Sequence, residues 1–135
     1  VSSAKRLAAG IIVLAVPFAV WAIAKNPPTA GGWYPPCIFN VSTGLYCPGC
    51  GGTRALHLLA NGNVLEALRQ NALLFLLLPF ALWYVGSLAL FAATGKWKQP
   101  IFSHRGVTIV LAILVIGYGV LRNIPYFGFL APKAL

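Results

Sequence analysis

At 135 residues the chain holds one domain, and its composition, 59% hydrophobic and 8% charged, lies far from the roughly 25% charged residues of a soluble domain. The net charge of +9 comes from missing acids: Glu66 is the one acidic residue, and the basic residues stand singly or in pairs at segment ends. Nucleic acid is thereby excluded as a partner, since no basic stripe exists to follow a phosphate backbone.

The first apolar run, residues 7–24, follows Lys5 and Arg6 and predicts a membrane helix over residues 5–25, because about 20 apolar residues cross a hydrocarbon core. Its length, and Trp21 near its end, favour a retained anchor over a cleaved signal peptide. The next stretch, KNPPTAGGWYPPC, cannot remain helical, since Pro27-Pro28 and Pro35-Pro36 each stop a helix. Trp33 and Tyr34 between them suit the headgroup zone. A cysteine elbow is expected over residues 33–62. Within it Ala55, Leu56, Leu58 and Leu59 form an apolar face, with Arg54 and His57 on the polar one. That pattern predicts a short interfacial helix, lying on the membrane or folded back against the bundle.

Asn63 followed by Glu66 has the spacing of a capping box, so a helix is expected over residues 64–94, running through Arg69 and Gln70 directly into the second span. Pro79 should kink it and Gly95 end it. The third apolar run, residues 107–121, reaches spanning length if Ser103 caps it and the helix continues to Asn123, a span over residues 104–123. Gly86, Gly117 and Gly119 would let helices approach closely. The expected fold is an all-α integral membrane protein forming a single domain, residues 1–135: three transmembrane helices, a long cysteine-containing extracytoplasmic loop and a short interfacial helix. Lys5 and Arg6 before the first span, with Lys96, Lys98 and Arg105 in the short loop, place the N-terminus in the cytoplasm. No ionisable residue falls in mid-span, which argues against a transporter or proton path.

Cys37, Cys47 and Cys50 are the three cysteines, all in the long loop. Two of them could form a disulfide in an oxidising compartment, Cys37 pairing with Cys47 or Cys50. Together with His57 they could instead supply a Cys3His set for zinc, the Pro48-Gly49 turn converging two sulfurs. Cys-Pro-Gly-Cys also has the spacing of thiol oxidoreductases, but no strand pattern surrounds it, and an enzyme is the lesser expectation. Arg54, near a helix start, could bind backbone carbonyls or the phosphate of a lipid.

The stretch TGLYCPGCGGTRALHLLANGN, residues 43–63, resembles the signature of a bacterial membrane-protein family, domain of unknown function 2752. The resemblance includes Cys37 upstream and Gly62-Asn63 where the family has a Gly-Asp turn. It departs at Asn71-Ala72, where Asn-Pro is usual, and at Ile38 after the first cysteine. The resemblance implies that the three cysteines act together, and that the protein lies in a bacterial plasma membrane as a multi-pass chain. It implies no established chemistry. Some family members resemble accessory subunits of respiratory complexes. The leading expectation is therefore an accessory subunit docked on a larger integral membrane complex and its lipids, such as a respiratory-chain assembly. Its elbow would be pinned by a disulfide or a metal. No cofactor is expected on that reading; the alternative is thiol–disulfide exchange, or handling of zinc or copper.

Overall fold

The computed structural model describes residues 3–28, 34–97 and 104–132. The described chain is helical without strands: α1 (Ser3–Lys25), α2 (Ile38–Thr43), α3 (Gly52–Ala60), α4 (Val64–Gln70), α5 (Ala72–Thr94), α6 (Arg105–Leu121) and a closing 3-10 segment, Pro125–Leu130. Two helices, α1 and α5, are long and apolar enough to cross a membrane, at 23 residues each. The third, α6, is apolar but has 17 residues, about 25 Å at 1.5 Å per residue. It begins after His104; Ser103, expected as its cap, lies outside the described residues, as do Trp33 and Lys98.

Two helices form the seam of the fold. Ala9 of α1 is buried with Leu88 and Phe91 of α5, and Val13 and Ala92 pack around them. The small Ala9 lets the backbones approach, while Phe91 also meets Trp97 edge-on at 5.3 Å. Helix-terminal carbonyls, which have no partner within their own helix, fasten the seam at one end and tie α1 to α3 at the other. Arg6 donates from Nε to Ala92 O at 3.2 Å and from Nη2 to Ala93 O at 2.7 Å, a cation at the negative end of α5. At the opposite end, His57 Nδ1 donates to Ile23 O at 2.7 Å and Asn61 Nδ2 to Ala24 O at 3.1 Å. Gly95 terminates α5 as expected, its N–H reaching Phe91 O at 2.8 Å with φ at 72°.

Several sequence expectations are corrected. The helix does not run unbroken over residues 64–94: it stops at Gln70 and restarts at Ala72. Asn71 stands between in an extended conformation, φ −159° and ψ 95°, and its Oδ1 accepts the N–H of Leu74 to cap α5. The capping box does not form, because Asn63 makes no side-chain cap and Glu66 pairs with Arg69 instead. Ile38–Thr43 folds into a turn and a half of helix that the flanking prolines concealed. At Gly86 and Gly117 nothing would touch an added Cβ, so neither supports a close crossing; Gly119 meets Pro48 of the elbow, not another helix. Outside the α1–α5 seam, α6 stands off from α5 across an apolar groove of about 480 Å³, lined by Leu76, Phe80, Val107, Val110, Leu111 and Leu114.

Candidate functional site

Three cysteine sulfurs converge in the elbow between α2 and α3. Cys47-Pro48-Gly49-Cys50 is a tight turn closed by the Cys50 N–H on Cys47 O at 3.1 Å. Proline presets the backbone angle of the turn's second position, and the reversal brings both sulfurs to one side, 3.2 Å apart. Cys37 arrives from the other direction at the start of α2. That helix ends at Gly44, whose φ of 73° turns the chain back toward Cys47. The Cys37 and Cys47 sulfurs stand 3.4 Å apart as free thiols, and all three sulfur atoms lie within 4.8 Å of one another. Cys50 is buried, while the other two are half-buried.

An arginine holds the turn in place. Arg122, just beyond α6, is 2% exposed and is the largest fully buried side chain among the described residues. Its Nη1 donates to Cys47 O at 3.1 Å, Cys50 O at 2.8 Å and, more weakly, Pro48 O at 3.4 Å. Its Nη2 reaches Gln70 O at 3.3 Å and its Nε reaches Leu130 O at 2.9 Å. The guanidinium also lies 5.1 Å from the centre of the Tyr118 ring. Five N–H donors on a rigid planar fork suit such a set of carbonyls, which a lysine could not span.

Two asparagines complete the frame. Asn71 Nδ2 donates to Pro48 O and Cys50 O, at 3.1 and 3.2 Å, so the residue that breaks α4 from α5 also ties both to the elbow. Asn123 treats Tyr46 as a strand neighbour would, accepting its N–H and donating to its carbonyl, both at 2.8 Å. Of the buried polar residues, Gln70, Asn71 and Arg122 thus gather around the cysteines, with Ser87 apart in α5, while most of the apolar side chains face outward.

The environments of the thiols differ. The backbone N–H of Asn40 faces the Cys37 sulfur without completing a cap, and together with the thiols of Cys50 and Cys47 it holds the Cys37 thiol below its ordinary value. Burial pushes the Cys50 thiol up, to about 12, reinforced by the thiols of Cys47 and Cys37. The thiolate is the nucleophile, so a lowered value raises reactivity near neutrality and a raised one suppresses it. Iodoacetamide added at pH 7 to the reduced, metal-free protein is expected to label Cys37 first and Cys50 last by peptide mass mapping. Labelling of Cys50 ahead of Cys37 would contradict this ordering.

Of the expected site residues, Cys37, Cys47 and Cys50 are brought together and His57 is not. The converging group is the three sulfurs without the imidazole, whose Nδ1 lies on Ile23 O, so the expected Cys3His set is corrected to three cysteines. Arg54 sits half-buried in the first turn of α3. The sequence reading missed Arg122, Asn71 and Asn123. The signal for Arg122 was faint: a single arginine beside Asn123, two residues before Pro125, at the end of an apolar run, which reads as an ordinary interfacial anchor.

Residues 37–85 match the family model described as protein of unknown function (DUF2752). The match opens on Cys37 and takes in all three cysteines, the elbow and Asn71, but stops short of α6 and Arg122. No curated protein and no solved structure matches the chain.

Proposed function

We propose that the elbow is a soft-metal centre carried by a small multi-pass protein of a bacterial plasma membrane, with the thiolates of Cys37, Cys47 and Cys50 as ligands for zinc or copper(I). The observation that supports it most is the convergence of three sulfurs within 4.8 Å on a turn whose carbonyls are fixed from outside by Arg122 and Asn71. Thiolate sulfur is the ligand type that selects such metals, and a preorganised backbone spares the ordering cost of bringing three cysteines together. In this reading α6 is the third span. In the same reading the elbow faces the extracytoplasmic side, an orientation that rests on the basic residues of the opposite end. Lys5, Arg6, Lys96 and Arg105 are gathered at the other end.

The detergent-purified protein is expected to carry about one zinc or copper per chain by elemental analysis, binding of the kind that buries cysteine ligands. All three cysteines should become alkylated in the intact mass only after chelation. A metal-free protein whose mass is two hydrogens low, with one cysteine open to alkylation, would replace this reading by a disulfide.

A second reading, a subunit docked on a larger membrane assembly, is favoured by α6, which has no buried residue along its 17-residue length. Co-migration with a large complex on a native gel would support it, and a lone monomer in mild detergent would remove it.

A further inference from the structure

Among the described residues, three sulfurs converge at the elbow and no histidine or carboxylate joins them. His57 lies outside that group, with its Nδ1 on Ile23 O, and Glu66, the one acid of the chain, pairs with Arg69. Four-coordinate zinc would therefore need a ligand from outside this group, whereas three thiolates alone satisfy a three-coordinate soft monovalent ion. The charge points the same way. Copper(I) held by three thiolates carries two net negative charges, and zinc(II) held by the same three carries one. The group facing the turn from α6 is Arg122, a cation buried to 2% exposure that meets carbonyls but no side-chain carboxylate. A buried cation without an anion is costly; an anionic thiolate complex on the same turn supplies one.

Resting on the proposed metal centre, we infer that Arg122 makes this a site for monovalent copper(I), bound by the three thiolates of Cys37, Cys47 and Cys50. On binding, the three thiol protons leave to water, the three sulfurs each donate a pair to the metal, and no electron is transferred. Arg122 touches no ligand atom; it acts as a positioning residue through the Cys47 and Cys50 carbonyls and as the counter-charge to the complex.

The test separates charge from scaffold. Full-length protein in nanodiscs is titrated anaerobically with copper(I) as its bicinchoninate complex, and separately with zinc against a chromophoric chelator. Since Coulomb energy scales with the product of the charges, Arg122→Gln should weaken copper(I) by twice the logarithm that it weakens zinc, for example about a hundredfold against about tenfold. Arg122→Lys keeps the charge but loses the fork, so it should weaken both metals by equal factors and preserve their ratio. X-ray absorption of the copper(I)-loaded wild type, which needs no variant to fold, should show three sulfur neighbours and no nitrogen. Equal loss of both metals in Arg122→Gln, or a nitrogen or fourth ligand on copper, would overturn the inference while leaving the metal centre standing. A wild-type chain that takes neither metal would overturn both.

Discussion

A Gly51→Ala chain is expected to lose its elbow long before its long helices separate. Gly51 has φ at +78°, and a Cβ there would lie 2.7 Å from the Gln70 carbonyl oxygen and 2.9 Å from Cβ of Pro132. The left-handed backbone alone costs an L-residue about 1–2 kcal/mol, and forcing atoms into a packed site adds about 1–3 kcal/mol. Moreover the oxygen it strikes is one that Arg122 binds, so relief of the clash loosens the clamp. The combined loss is about 2–5 kcal/mol. Gly44→Ala is the matched control, with φ at +73° but nothing within 4 Å of the added carbon; it should cost only the backbone term. Thermal melting in detergent, with protease cleavage around residues 44–52 as a local probe, reads both. Equal melting temperatures for the two variants would mean that the close approach at Gly51 has no energetic weight.

Arg122→Leu should be comparably severe and equally local. Leucine strips the Arg122 donors from the carbonyls of Gln70 and Leu130, and removes one of two donors from those of Cys47 and Cys50, which keep the Cys50 N–H and Asn71 Nδ2. A buried acceptor left unpaired costs about 1–3 kcal/mol; partial relaxation toward the interface brings the sum to about 4 kcal/mol rather than the full total. The α1–α5 seam uses none of these bonds, so helicity and the Phe91–Trp97 contact should survive. Cys50, now buried, should become as alkylatable as Cys37 in the reduced, metal-free protein. Retention of Cys50 protection in a well-folded Arg122→Leu chain would show that another element holds the turn.

What could be read from the sequence follows the strength of the local signal. The apolar runs that became α1 and α5 announce themselves by length, since no other residue type satisfies a hydrocarbon solvent. Gly95 is legible because a glycine after an apolar run is the usual left-handed stop. The short α3 was legible from its two-faced pattern. The cysteine grouping was legible too, as three sulfurs in one loop flanked by turn residues. The α4–α5 break was not, because Asn71 looks like any polar residue between helical stretches; its extended backbone is stabilised by bonds to Pro48 and Cys50, some twenty positions away in the chain. Arg122 was hidden for the same reason: its partners lie over 70 positions away in Cys47, Pro48 and Cys50. His57 differs in the opposite sense: local spacing suggested a ligand, whereas the converging group is the three sulfurs and its Nδ1 meets Ile23 O. Local pattern finds the sulfurs; the polar frame that orients them is long-range.

The unequal fastening of the helices has a mechanical corollary. With Arg6 clasping α1 to the end of α5, and His57 and Asn61 of the α3 turn holding the other end of α1, these helices behave as a beam. Helix α6 grips the elbow through Arg122 and Asn123, at one extremity, and gapes from α5 along the groove. It is a lever about 25 Å long with its fulcrum at the sulfur turn. Pressure on α6 from a neighbour would be delivered as torque to the carbonyls beneath Cys47 and Cys50, so the spacing of the three thiols would respond to whatever α6 touches.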